Sequence, residues 1–590
     1  MHAEGITEAP MTAAEPFVRV AELADLRKAG RQVVHAGGHT LVLFSDGDDV
    51  RAVDNRCPHM GFPLHRGSLA EGILTCHWHH ARFDLCSGGT FDQWADDLRT
   101  FPVELRDGSV FVDLSPPDDP VGHQRRRLRD GLERNIPLVL AKATIALLEA
   151  DPSGADAFRA GLDFGVERRG GGWFRGLTTL SCFMNLVPGA EDGDRPVALY
   201  HGLADVASDS AGVPPRFPLA PLPSADVEPA RLGEWFRRFV EVRDAEGAER
   251  ALVSAVRAGA SPSELADMLF AAATDHRYLD GGHTLDFVNK ALEALDVAGW
   301  DRAERVLASL PSQLAFAERM EEANSWRNPV DLVALLEAAF ERLPAALASG
   351  ADRRGSWKGR AALVEVALGE DPAASIDALL AAVVEGATEE ELASAAAFAA
   401  ITRIARFHTS NEFGDWDTAL HTFTFANAVQ QGLRRSPSPE LVRGVLDAAM
   451  SVHLDRFLNV PPARLPRPEA GADPDALLAD LPALLDRQQQ VDEAGGLVAS
   501  FLGAGGDPDR LVAALGAALL REDRNFHTIQ CVEAAVRQHA LLRGTDEASL
   551  PLVAAARYLA AHATTTRSQR QTFEIARRLH RGERLYEDVS

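Results

Sequence analysis

The sequence is short of what extracellular and membrane-spanning proteins need. Only five cysteines, Cys57, Cys76, Cys86, Cys182 and Cys531, are spread over 590 residues. They are too few and too scattered for a disulfide framework, which points to a reducing compartment. No run reaches the roughly eighteen apolar residues of a spanning helix, and the opening MHAEGITEAPMTAAEP lacks the basic and then apolar order of a secretory leader. A cytoplasmic protein with no membrane partner is expected. Positive charge is also scarce: 60 Lys and Arg stand against 86 Asp and Glu, a formal net charge of -26. Nucleic acid demands basic patches, so it is not an expected partner either. No G-x-G-x-x-G follows a strand, and no P-loop or G-x-S-x-G occurs. A Rossmann-type nicotinamide or flavin site is therefore not visible, and reducing equivalents must come from a separate protein.

What is there falls into two regions, as expected for a chain longer than the roughly 250–300 residues of a single core. Residues 17–114 read as strands: HTLVLFSDGDDVRAVDN and FPVELRDGSVFVDL each place an Asp-Gly turn between apolar runs, the signature of a hairpin. After the Pro-rich and charged SPPDDPVGHQRRR, Ala, Leu, Glu and Arg recur at helical spacing. The expected architecture is multidomain: an N-terminal flexible segment 1–16, a small antiparallel all-β domain 17–116, a linker 117–127, and a large all-α domain 128–590 built of helical pseudo-repeats.

The first region carries CPHMGFPLHRGSLAEGILTCHWHH. It holds a C-x-H pair and a C-x-x-H pair, Cys57/His59 and Cys76/His79. A zinc finger groups two cysteines and then two histidines. One Cys and one His in each half suit instead a [2Fe–2S] cluster in which one iron takes both thiolates and the other both imidazoles. With ARFDLCSGGTFD and FPVELRDGSVFVD beside it, the segment resembles the Rieske domain family over roughly residues 15–115. The resemblance implies that Cys57 and Cys76 ligate one iron, and His59 and His79 the other. High-potential members add a disulfide between the two loops; Phe62 and His77 stand at those positions here. The resemblance therefore implies a ferredoxin- or oxygenase-type centre, toward the lower end of roughly -150 to +300 mV. Cys86 reads as a small buried residue, and His65, His77 and His80 as surface or outer-shell residues.

The helical region repeats itself. Segments starting at Glu264, Glu391 and Arg510 each show an apolar helix, a polar break, and His-Thr opening a second helix. His283, His421 and His527 are equivalent, with Asn289, Asn427 and Glu533 six residues later. A weaker copy, GLTTLSCFMNLV, has Thr179 and Asn185 at these positions. Neutral imidazole is a good iron ligand, so the three recurring histidines are the candidate catalytic residues and metal ligands. His276 and His408 in the preceding breaks are candidates to complete the set, with Glu412, Asp280 and Asp523 as carboxylate partners. His453, His539, His562 and His580 read as ordinary surface or core residues.

The motifs GGHTLDFVNKALEAL, LHTFTFANAV and HTIQCVEAAVRQHAL resemble the questin oxidase-like family, whose fungal members open anthraquinone rings by a Baeyer–Villiger-type oxygen insertion. That resemblance covers about residues 255–565. Taken with the Rieske-like segment and the recurring histidines, it leads to the expectation of an oxidoreductase, a monooxygenase by class, in which a [2Fe–2S] domain feeds electrons from a separate reductase or ferredoxin to a second, non-haem rather than haem, iron. Dioxygen and a small organic substrate, aromatic or polyketide-like, complete the expectation. The alternative is a non-catalytic electron carrier or redox sensor whose helices form a docking scaffold.

Overall fold

In the computed structural model, residues 16–583 are described apart from 48, 93, 117–118, 169–171, 224–226 and 413, together with 585. The expected flexible segment falls almost wholly outside them. The chain divides into two compact units, one of residues up to Ala146 with those from Thr572 onward, the other Leu147–Gln571.

Among the described residues, the first unit contains ten strands: β1 (Phe17–Glu22), β2 (Arg31–Ala36), β3 (His39–Asp46), β4 (Asp49–Asp54), β5 (Ser68–Ala70), β6 (Ile73–Thr75), β7 (Arg82–Asp84), β8 (Thr100–Phe101), β9 (Val103–Arg106) and β10 (Ser109–Asp113). They form three antiparallel sheets, ordered β1-β10-β9, β2-β3-β4-β8 and β5-β6-β7. Strand β3 explains its own unbroken apolar run. Alternate side chains of a strand point to opposite faces; Leu41 and Leu43 enter one core with Val110 and Val112, while Val42 and Phe44 enter a second with Leu74 and Phe83. The turn between β9 and β10 is Asp107-Gly108, both with positive φ, as a two-residue hairpin requires.

Helix α1 (Pro120–Arg134) corrects the expected linker. Proline at the first helical position and a preceding Asp are helix-start chemistry, and Asp119 accepts from the Gly122 N–H at 2.7 Å. Helix α2 (Pro137–Ala150) follows, and its residues up to Ala146 belong to the first unit. Arg127 of α1 pairs with the buried Asp96. The chain's last segment also joins this unit, where Arg56 Nη2 donates to the Leu579 carbonyl at 3.1 Å. The break expected at residue 128 is therefore not where the units divide.

The second unit is helical throughout its described secondary structure. Its centre is built from the second helix of each pseudo-repeat: α3 (Arg175–Leu186), α4 (His283–Ala298), α5 (Asp415–Arg435) and α6 (Phe526–Leu541). They pack in a closed cycle, α3 on α4, α4 on α5, α5 on α6 and α6 on α3. Helix α7 (Ser549–Ala561) lies against α6. His283 is the first residue of α4 and His527 the second of α6, as expected. Helix α5 differs, because it begins at Asp415, six residues ahead of His421.

The positions six residues beyond the histidines form a polar layer inside this ring. Asn185 Nδ2 donates to Glu293 and Glu533, each at 2.8 Å, and Lys290 Nζ lies 2.7 Å from Glu533 and 3.1 Å from Glu293. Asn289 donates to Glu293 at 2.8 Å, and Gln538 to Asn427 at 2.9 Å. Arg537 pairs with both glutamates. Two carboxylates thus face two cations, the condition under which buried charge is tolerated.

Candidate metal centres

The first site is made by two loops that leave and re-enter short strands. Cys57 N–H donates to the Phe62 carbonyl and Gly61 N–H to the Cys57 carbonyl, both at 2.8 Å. In the second loop, Cys76 N–H donates to the Ala81 carbonyl at 2.8 Å. Each loop turns through one positive φ, at Gly61 (80°) and His80 (63°). The backbone N–H groups of His59 and Met60 point at the Cys57 sulfur, and those of Trp78 and His79 at Cys76. Such donors stabilise thiolate. Hydrogen bonding between the two cysteines, with burial, pushes the Cys57 thiol up. The same bond brings Cys76 down to about 6.

This pocket fits a [2Fe–2S] cluster. Both cysteines are buried and free, and the His59 and His79 rings lie edge to face with centroids 4.9 Å apart. His59 Nδ1 is buried without a hydrogen-bond partner, an arrangement that costs stability unless a metal takes the lone pair. Burial, then His79, lowers His59 to about 4, keeping its imidazole neutral for ligation. His79 is exposed. Trp78 and Trp94 flank the imidazoles, with centroids 4.4 Å from His79 and 4.8 Å from His59. Phe62 packs beside Trp78, and His77 Nε2 meets Ser68 Oγ at 3.0 Å, so these positions hold no disulfide. Cys86 is exposed rather than buried, because it sits in the turn after β7.

The second site lies in the helical unit. His283, His421 and His527 converge, with one nitrogen of each within 4.8 Å of the others. Gly282, with φ of 96°, makes the approach of α4 to α5 close; a Cβ there would stand 2.9 Å from Phe425 Cβ and the Tyr278 ring. Asn525 starts α6 by accepting from Thr528 N–H at 2.9 Å. Nε2 atoms of His421 and His527 are 3.1 Å apart, so a proton or a cation must lie between them. Burial first, then the neighbouring histidines, lowers His283 to about 3 and His421 to about 4. These two rings are therefore neutral, the form that binds metal.

Asp417 orients the third ring. Its Oδ2 is 3.2 Å from His527 Nδ1, which leaves Nε2 facing the other histidines. A carboxylate behind a ligating histidine fixes its tautomer and raises its basicity. Tyr558 of α7 donates to Asp417 Oδ1 at 2.6 Å and stacks on His562 at 4.2 Å. Burial pushes Asp417 up, but hydrogen bonds from His527 and Tyr558 outweigh it and hold the carboxyl at about 2. The fourth pseudo-repeat supplies Thr179, which has no ligating nitrogen. Three protein donors are the number found where a catalytic metal keeps a position for substrate. Phe287 and Phe526 stand 5.4 and 5.7 Å from the His283 ring, making one side aromatic.

The other expected ligands are placed elsewhere. His276 is held between Glu321 (2.6 Å) and Glu241 (2.7 Å), and His408 Nδ1 contacts Ser410 Oγ at 2.7 Å. Both ring nitrogens of His276 are engaged in ion pairs, and His408 closes its own loop, so neither joins the triad. Asp280 accepts from Thr284 and the Glu318 N–H, and Asp523 from Thr566 and Ser568. Glu412 N–H donates to Asp415 at 3.0 Å. The carboxylates of Asp280 and Asp523 are engaged by hydroxyl and backbone donors rather than by the histidine triad. The carboxylate at the site, Asp417, was not among the expected partners; its place four residues before His421, on the same helical face, was the signal that could have found it. Tyr558 and His562, from a helix outside the repeated motif, carried no such signal.

Comparison with known proteins bears on the first site. Residues 16–102 match the Rieske [2Fe-2S] domain. The chain is 32% identical over 97 residues to apoptosis-inducing factor 3 of Homo sapiens, a match covering 16% of each chain. It is 27% identical over 100 residues to the ferredoxin component of the naphthalene 1,2-dioxygenase system of Pseudomonas putida, covering 17% of this chain and 96% of that one. It is 33% identical over 79 residues to the ferredoxin component of the p-cumate 2,3-dioxygenase system of Pseudomonas putida, covering 13% and 67%. Through these N-terminal residues, with two cysteines and two histidines on paired loops, the chain belongs to the Rieske [2Fe–2S] family.

Proposed function

We propose that this protein is an oxygenase in which the Rieske module supplies electrons to a non-haem iron held by His283, His421 and His527. The observation that carries the reading is the convergence of those three histidines, from three pseudo-repeats, onto one point. Cys57, Cys76, His59 and His79 hold the cluster, which supplies one-electron transfer. Iron in the triad supplies oxygen activation when bound. The chain's own contribution is to present neutral imidazoles, to fix the His527 tautomer through Asp417, and to line one side with Phe287 and Phe526. In a monooxygenase balance, one oxygen atom enters the organic substrate and the other leaves as water, consuming two electrons and two protons. Those electrons come singly from a separate reductase or ferredoxin. The aromatic side suits an aromatic or polyketide-like substrate, in keeping with the resemblance of the repeats to the questin oxidase-like family. Among the described residues, no helix is long and apolar enough to cross a membrane.

The test is iron and sulfide analysis of protein purified without oxygen. Iron in excess of sulfide by one per chain, abolished in His421→Ala with the cluster signal and melting temperature unchanged, is the expected result. Equal iron and sulfide in the wild type would instead leave the helical unit as the scaffold of an electron carrier.

A further inference from the structure

The cluster loop has a contact that the Rieske match itself does not contain. Lys142 lies on α2, beyond residue 102 where the match ends, yet in the same compact unit as the β domain. Its ammonium donates to the carbonyl of Pro58, the residue between Cys57 and His59. The neighbouring Ala141 and Ala143 are fully buried, so the helix face that presents Lys142 is locked by packing. The Cys57 N–H and carbonyl are both taken by the loop's own turn, and proline has no N–H. The Pro58 carbonyl is thus where an outside donor can reach this loop.

The charges around Lys142 are few. Burial first lowers its pKa to about 8, which leaves it a cation at neutral pH, and Asp96, Arg127, Cys57, Arg56 and His59 are among the groups that interact with it. Asp96 is paired with Arg127, and Arg56 donates to backbone carbonyls. Three cations, Arg56, Arg127 and Lys142, stand beside the Cys57 loop with two carboxylates, Asp54 and Asp96, and Lys142 is the one whose ammonium reaches the loop itself. Adding an electron to a centre here places negative charge in a partly desolvated site, where a nearby cation is worth more than in water.

We infer that Lys142 is a positioning residue for the Rieske centre, holding the first ligand loop through Pro58 and raising the centre's reduction potential by its charge. This inference does not depend on the metal in the histidine triad. It makes the potential a property of the whole first unit, helices included, rather than of the β domain alone.

The experiment is an EPR-monitored redox titration of the full-length, cluster-loaded chain. Lys142→Gln keeps an amide N–H for the Pro58 carbonyl but removes the charge; Lys142→Arg keeps the charge. The expected result is a lower midpoint potential in Lys142→Gln and a near-wild-type value in Lys142→Arg, with iron and sulfide content unchanged in both. Lys142→Met, lacking both donor and charge, should also broaden or shift the EPR signal as the loop loosens. If Lys142→Gln loads its cluster normally and titrates at the wild-type potential, the charge does not tune the centre and the inference falls. It falls equally if Lys142→Arg shifts as far as Lys142→Gln.

Discussion

The Rieske loops and the histidine triad are assembled in opposite ways. Cys57, His59, Cys76 and His79 span 23 positions, on loops set by short hairpin strands and backbone hydrogen bonds within a few residues. His283, His421 and His527 span 245 positions, and nothing local brings them together. They meet because the second helices of the pseudo-repeats close into a ring, with a paired ionic layer beneath. In the first case the ligand spacing is the site. In the second, the site is a by-product of packing, and it inherits whatever the packing does.

This contrast can be broken experimentally. The largest effect belongs to the local motif. His79→Ala should abolish the [2Fe–2S] EPR signal entirely while leaving the helical circular dichroism unchanged, because the ligand loops are held by strands and backbone hydrogen bonds within the first unit. A parallel loss of helical signal would show that the two sites are not independently built. A smaller effect is expected from Asp417→Asn, which keeps shape but weakens the acceptor behind His527. Metal affinity at the triad, read by competition with a chelator, should fall about 10–100-fold, with no change at the Rieske centre. Unchanged affinity would mean that Asp417 serves α7 packing through Tyr558 and not the metal.

The smallest effect concerns His276, which was expected at the metal and is instead an ion-pair partner. Burial opposes its charge, but Glu321, aided by Glu241, raises its pKa above the ordinary value of about 6.5. A folded pKa raised in this way stabilises fully below the unfolded value and is lost as pH climbs through the folded one. The melting temperature should therefore decline modestly from mildly acidic to alkaline pH, and His276→Gln should flatten that decline. A wild-type profile retained in the variant would assign the pH dependence elsewhere. Metal affinity should be untouched by this substitution.

Much of the first region was legible. The alternation of β3, the Asp107-Gly108 turn and the two Cys-His pairs act over a few residues, where backbone geometry and pairing period leave little choice. The Pro-rich stretch at 115–120 misled because proline serves equally in linkers and at a helix's first turn, and only the Asp119 cap distinguishes them. In the helical region, recurrence marked His283, His421 and His527 correctly as a set that the fold brings together.

Recurrence did not reveal their partners. Asp417 lies on one repeat only, Tyr558 on a helix outside the motif, and His276 and His408 resembled ligands solely by lying near the breaks. The sequence by itself determined the two Cys-His pairs of the Rieske motif, the change from strands to helices, and the equivalence of the three histidines, because each is encoded within one or two turns of chain. The tertiary structure alone decided which carboxylate orients His527, which histidines stay outside the triad, and that Lys142 reaches the Pro58 carbonyl. Those contacts join residues scores of positions apart, and their partners are selected by how whole helices pack, a property no local spacing records.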